Sequence, residues 1–398
     1  MNTNVNNGER IYFLTFSFTI IGQINSYSLW GINLLFISLF WHFTLLLSSL
    51  VLINSLSKYD NRDKILIILL LGLTMIVGQL SDCFYELFIL FSLIVGAKDI
   101  PFRKIVKTHF VITLCFCLIN MIGSEMGVTD VPNLENAERE SLLSQDFVIR
   151  KSYGYIFATD FANHVFFILL DYWLLKNGRL RMMEFLSYIV VACFVLVNTD
   201  TRLSFGCILL LLLSSVFVNH LIKHESRVGR LFCLFLVFSI PFLFFISLYA
   251  TLSFDISNIS WFVADEVLSH RLSLGNDAIQ NYGIPLLGQT VFFNGWGTEG
   301  VDSSNYDYVD SSYVQYLIRW GIILMTLLII SFYKISKAAY KRKDYSLIIA
   351  ISVAGIVGAI SQFLFYLGYC VLLVALCASH PDYSCAVSEE KDTNNFLK

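Results

Sequence analysis

Three arginines, Arg150, Arg202 and Arg271, stand where polar connections meet long apolar runs, in segments otherwise rich in Asp and Glu. A guanidinium is a planar fork that stays charged and grips two phosphate oxygens at once. Held where a phosphate ester breaks, it stabilises the leaving group's growing charge more than its ground state. The chemistry implied is group transfer from a phosphate or diphosphate ester. The plainer role for each arginine is a salt bridge to a neighbouring acid or a lipid headgroup, and Arg139 and Lys151 fit that role better.

Other candidates cluster around Asp310-Ser311-Ser312-Tyr313 and His270-Arg271. Asp310 can orient or deprotonate an acceptor hydroxyl, and either Asp310 or Ser311 can cap the helix that follows. Arg319 falls inside an apolar run, where an arginine costs about 2.5–3.5 kcal/mol on insertion scales. Tyr313, Tyr316 and Arg319 recur every three residues and so share one helix face. That face either lines a cavity, or Arg319 snorkels to the headgroups. His270 is a pocket candidate through its neighbour Arg271. Asp160 and Asp200 are weaker versions of Asp310. Glu86 and Asp171, near expected helix ends, read as structural, and His109, His164 and His220 as interfacial. There is no Asp-x-Asp, no histidine cluster and no glycine-lysine phosphate loop, so neither a metal nor a soluble cofactor is implied. No basic patch suits nucleic acid. The nine cysteines lie mostly in apolar runs and read as small apolar residues.

The elements that must position these groups are membrane helices. Of 398 residues 56% are hydrophobic and 14% charged, with mean hydropathy +0.68; soluble domains carry about 25% charged residues. About 20 apolar residues cross a bilayer. The expected spans are 11–23, 31–56, 64–80, 84–98, 108–127, 157–176, 184–199, 203–222, 231–251, 311–333, 346–362 and 364–379. The fold class is therefore all-α, one polytopic membrane domain over 1–398. The count is twelve if the last apolar run divides near Gln362 and eleven if it does not. With the N-terminus inside, all but six of the 27 Lys and Arg fall on inner connections. The six are Arg139, Arg150, Lys151, Arg202, Arg271 and Arg319. Two long acidic connections, 128–156 and 252–310, are then outer loops, and 380–398 is a cytoplasmic tail. Residues 11–22 read as a first helix that is retained, since no small-residue cleavage site follows.

Three motif groups complete the pattern: Arg150-x-Ser152-x-Gly154-Tyr155; Arg271-Leu272 with Pro285-Leu286-x-Gly288-Gln289; and Asp310-x-Ser312-Tyr313 with Gly321-Ile322. With Thr201-Arg202 and the topology, this resembles the Wzy-type O-antigen and capsule polymerases, related to the O-antigen ligases. The resemblance spans the whole topology but rests on short motifs. It implies a glycosyltransferase of the bacterial inner membrane that joins polyprenyl-diphosphate-linked oligosaccharide repeat units at the outer face. Arg202, Arg271 and Asp310 would be catalytic, and Arg150, Tyr313, Arg319 and His270 would bind substrate. Trp296, Tyr306, Tyr308 and Tyr313 are available to sugars. A chain-length regulator would be the partner. The ligases often carry His-Asn where this chain has Asp310-Ser311, which weakens that alternative. A flippase for the same lipid-linked unit is the rival from another class. It needs charges along a transit path, whereas charged residues here gather in the two loops.

Overall fold

A computed structural model describes residues 7–30, 34–129, 138–140, 147–224, 227–295 and 306–380. Trp296, the acids Asp130, Glu135, Asp146, Glu299 and Asp302, and the tail from 381 onward lie outside the described residues, as does the side chain of Arg139.

Long apolar stretches become helices because a helix pairs its own backbone, which lipid cannot do. In chain order these are α1 (Asn7–Ser26), α2 (Leu34–Leu56), α3 (Asn61–Leu80), α4 (Phe84–Gly96), α5 (Phe102–Glu125), α6 (Ala158–Leu175) and α7 (Met182–Thr199). There follow α8 (Arg202–His224), α9 (Arg227–Leu236), α10 (Ser239–Leu252), α11 (Ile259–Val267), α12 (Arg271–Tyr282), α13 (Ser312–Lys341) and α14 (Tyr345–Ile360). Six of them, α2, α3, α5, α7, α8 and α13, are long and apolar enough to cross a membrane; α9 and α10, bent by 52°, make a seventh if they form one span. Leu35, Leu39, Leu46 and Ile53 of α2 and Ile65, Ile68 and Leu69 of α3 face outward. An apolar exterior of this extent belongs to a multi-pass membrane protein, where lipid is the solvent.

Other helices turn a face or most of their length into the bundle. α1 buries Tyr12, Phe16, Ile20 and Ile24 at four-residue intervals, and α6 buries Phe161, Phe166 and Trp173. Buried Thr15, Thr19, Thr44 and Ser48 donate to the carbonyl four residues back, which satisfies a hydroxyl without a partner helix.

Both long connections hold structure of their own, and one expectation is corrected. The connection 252–310 folds α11 and α12. In 128–156 the described residues include a small antiparallel pair, β1 (Glu138–Glu140) with β2 (Phe147–Ile149). The expected last helix, 364–379, does not form. α14 stops at Ser361, whose backbone is extended, and two short 3-10 turns follow at Gln362–Phe365 and Leu372–Leu376. Ser361 sits against Ser312 at the start of α13. Ala378 and Ser379 pair with Lys98 and Pro101 at the start of α5. That is the opposite end of the bundle, because α5 runs back over about 36 Å to place Asn120 against Trp30 and Gly154. The segment therefore traverses the interior in irregular form. Tertiary partners replace the helix ladder: Leu364 N–H donates to Ser312 Oγ, Gly368 N–H to Gln23 Oε1 (2.7 Å) and Ser379 N–H to the Ile100 carbonyl. Non-helical backbone at membrane depth is tolerated where protein surrounds it.

Candidate functional site

The Arg150 motif is a clamp between two helix ends. Arg150 Nε donates to the Thr199 carbonyl at 2.7 Å and its Nη2 to Thr201 Oγ1 at 3.4 Å. Lys151 N–H donates to the Asn198 carbonyl and Tyr153 Oη to Asn198 Oδ1. Gly154 takes φ +81, with the Asn120 carbonyl where a Cβ would be, so only glycine fits. Its own carbonyl accepts from Leu29 N–H. Tyr155 is fully buried and packs on His164. The loop thus fixes the end of α7 against the end of α1. Arg202, the first residue of α8, follows directly and is exposed.

A second assembly forms around Arg271. Its Nη2 meets Asp310 Oδ2 at 2.9 Å, its Nε donates to the Ile360 carbonyl at 2.8 Å, and its Nη1 to the Leu268 carbonyl at 2.9 Å. The guanidinium is held by α14, by the end of α11 and by the approach to α13 together. Asp265, buried on α11, sets it in place: Oδ1 accepts from the N–H groups of Leu272 and Ser273 at 2.8 and 3.1 Å, which are unpaired donors of the first turn of α12. Nothing in the sequence marked Asp265 beyond its being one of many loop acids. His270, with φ +61, turns its ring outward and is 61% exposed, 3.5 Å from Asp265. It belongs to the turn, not to a pocket. Asp310 does not cap α13, since Ser311 is the cap residue and Asp310 is committed to Arg271.

A hydrogen-bond chain runs between the two assemblies, from the head of α8 to the start of α13. Ser204 Oγ on α8 donates to Asn163 Oδ1 on α6 (3.1 Å), Asn163 Nδ2 donates to Ser361 Oγ (3.4 Å), and the Ser361 carbonyl accepts from Ser312 N–H. Ile360, next in chain, takes Arg271. Residues from α6, α8, α12, α13 and α14 therefore meet at one end of the bundle. Asp160, buried at the start of α6, acts electrostatically on both Asp310 and Tyr308.

The third assembly unites motifs far apart in sequence. α13 breaks at Gly321, where φ is 79 and ψ 171. Segment 285–289 fills the break: the Pro285 and Leu286 carbonyls accept from Ile322 and Ile323 N–H, and Gln289 N–H donates to the Arg319 carbonyl at 2.9 Å. The Gln289 side chain donates to the carbonyls of Ile318 and Tyr282. The backbone groups freed by the break are thus paired again, so Pro285-Leu-x-Gly-Gln and Gly321-Ile are two halves of one unit. Just above the break, Arg319 Nη2 donates to Cys83 Sγ at 3.0 Å.

Burial pushes the Asp310 carboxyl above the usual carboxylate range, and the Arg271 charge pulls it back part of the way. Burial likewise raises Tyr306 and Tyr308, the latter to about 12. A cavity of about 260 Å³ opens beside α12, lined by Leu274, Asp277, Tyr282, Tyr306 and Asp307 among others.

Tyr313 does not face this space. It is fully buried and donates its hydroxyl to the Gly355 carbonyl at 3.1 Å, so it joins α13 to α14. The expected face of Tyr313, Tyr316 and Arg319 is packed protein except at Arg319. His109 and His164 are not interfacial. Both are buried, His109 paired through Nδ1 with Asp171 and His164 between Tyr155 and Tyr369. Asp171 is thus structural as expected, but as half of a buried pair. Among the described residues no three His, Cys, Asp or Glu side chains group as metal ligands would. Comparison of the chain with models of known families, with curated proteins and with solved structures finds no match in any of the three.

Proposed function

We propose that this protein polymerises polyprenyl-diphosphate-linked oligosaccharide repeat units into O-antigen or capsular polysaccharide, by glycosyl transfer at the outer face of the bacterial cell membrane. The observation that supports this best is the junction of Arg271 and Asp310, beside which Asn163 ties Ser361 to Ser204 at the head of α8, the helix that follows the Arg150 clamp. Cationic forks and a carboxylate at one end of a membrane bundle suit the reaction. The bond between the donor sugar's anomeric carbon and the diphosphate oxygen breaks. A hydroxyl of the next lipid-linked unit forms the new glycosidic bond, its proton passes to the Asp310 carboxylate, and polyprenyl diphosphate leaves. Arg150 and Arg202 would hold the diphosphates at headgroup level. Arg271 would hold Asp310 in place and share its charge with the leaving group. Tyr306 and Tyr308, rather than Tyr313, would meet the sugars. A chain-length regulator remains the proposed partner.

The proposed topology has the N-terminus inside and twelve crossings, the last made by the irregular segment 361–379. Its return to Lys98 and Pro101 suits an inner end, since the basic connections cluster there. The test of function is surface polysaccharide from a strain carrying Arg271→Ala, analysed by gel. Loss of long chains with single-unit caps retained is the expected result. Normal long chains would overturn the assignment, and loss of all caps would favour the ligase.

A flippase of the same lipid-linked unit is the second reading, and the buried His109–Asp171 pair between α5 and α6 favours it. Ionisable residues inside membrane helices often mark transport paths. Accumulation of uncapped precursor inside the cell on deletion would select this reading.

A further inference from the structure

Arg271, which the sequence singles out, already has its guanidinium satisfied by a carboxylate and two carbonyls. Arg319 is in the opposite condition. It lies within α13, only half-buried, yet no carboxylate comes within ion-pair distance of it among the described residues. Its Nη2 has the weak acceptor Cys83 Sγ, and its buried Nε has no hydrogen-bond partner. An arginine left in this state inside a bundle is costly unless something compensates its charge.

Cys83 is the cap residue of α4, and Glu86 follows it by three residues in the first turn of that helix. Glu86 and Arg319 attract one another without closing to an ion pair, and Tyr366 lies close to the Glu86 carboxylate. Both charged residues keep partial exposure inside the bundle, which leaves room for a hollow beside them. Half-buried tyrosines lie around that hollow. Tyr366 stands edge-on to Tyr27 at 5.9 Å, and Tyr308 acts electrostatically on Arg319, Asp310 and Asp160. Tyr308 is thus within electrostatic reach of both Arg319 and Asp310. A cation and a carboxylate held apart, with aromatic walls, fit a ligand that offers an anionic oxygen to one and a hydroxyl to the other, and a ring face to the tyrosines.

We propose that the space between Arg319 and Glu86 is a sugar-phosphate subsite in which Glu86 is a substrate-binding carboxylate. Arg319 takes a phosphate oxygen, Glu86 accepts from a hydroxyl of the adjoining sugar, and Tyr27, Tyr308 and Tyr366 wall the ring. This rests on the glycosyl-transfer reading above.

The test uses the full chain in lipid nanodiscs and two probes, a polyprenyl diphosphate and the same lipid carrying one N-acetylhexosamine. Glu86→Gln is nearly isosteric, and Arg319→Lys keeps the charge if Arg319→Gln does not fold. Glu86→Gln is expected to weaken the glycosylated probe at least tenfold and leave the sugar-free probe unchanged. Arg319→Gln is expected to weaken both. If wild-type protein binds the glycosylated probe and Glu86→Gln weakens both probes equally, or neither, Glu86 is only a counter-charge and the subsite is wrong. If wild-type protein binds neither probe, the subsite and the polymerase reading fail together. If the binding pattern is as expected but a deletion strain keeps normal chain lengths, the polymerase reading fails and the subsite stands.

Discussion

Gly321 and Leu287 meet backbone to backbone: a Cβ on Gly321 would collide with the Leu287 carbonyl, and at φ 79 and ψ 171 the glycine occupies a region closed to other residues. Gly321→Ala is therefore expected to cost about 2–3 kcal/mol through backbone strain and expulsion of the 285–289 turn. The checks are thermal unfolding of the detergent-purified protein and proteolysis near Gly288. Unchanged unfolding temperature would refute the account of the break.

Asp265 should behave as a positioning residue. Asp265→Ala removes both acceptor bonds to the head of α12, at a cost of about 1–2 kcal/mol. Arg271 then loses its fixed origin, so polymer yield should drop while binding of a polyprenyl diphosphate changes little. Asp265→Asn keeps an acceptor oxygen and should rescue most of the yield. An Asp265→Asn variant as impaired as Asp265→Ala would show that the charge matters, not the cap.

The acid limb of activity should report Asp310. Its carboxyl is raised by burial, so it gains its proton at a higher pH than an ordinary aspartate near 4. Activity that needs the carboxylate is lost as pH falls through that raised value. Arg271→Gln removes the charge that pulls it down, and the limb should move to still higher pH in the residual activity. A limb that stays put, or moves to lower pH, would separate Asp310 from the proton transfer.

The His109–Asp171 pair is buried on both sides. Removing one partner strands the other, at about 3–5 kcal/mol, whereas replacing both by apolar residues costs much less. His109→Leu should therefore unfold at lower temperature than the double variant His109→Leu, Asp171→Leu. Equal losses would mean the two residues do not act as a pair. Retained polymer synthesis in a folded double variant would also set aside a role for them in transport.

Tyr313→Phe tests a residue that the motif put forward and the packing withdrew. It deletes one buried hydroxyl and leaves the Gly355 carbonyl without that donor. The expected loss is about 1–2 kcal/mol of stability, with polymer made per folded molecule unchanged. A selective loss of polymer at normal stability would return Tyr313 to the substrate.

The sequence alone determined the class of fold and the side chains available for chemistry. Apolar length decides which stretches become membrane helices, because unpaired backbone is intolerable in lipid. Eleven of the twelve expected spans fall on helices, or on the bent pair of α9 and α10. Sequence also isolated Arg150, Arg271 and Asp310, since a charge beside an apolar run is visible without coordinates.

Tertiary structure decided which charges are already spent. Asp310 could be cap or base by sequence, and it pairs with Arg271 because α14 and α11 bring that guanidinium to it. Tyr313 and Arg319 share a helix face, but the bundle packs one solid and leaves the other half-buried with an unpartnered Nε. Residues 364–379 are apolar enough for a helix, yet Gln23, Ile100 and Ser312 pair their backbone first. These outcomes depend on partners tens to hundreds of residues away, and local pattern carries no record of such distances.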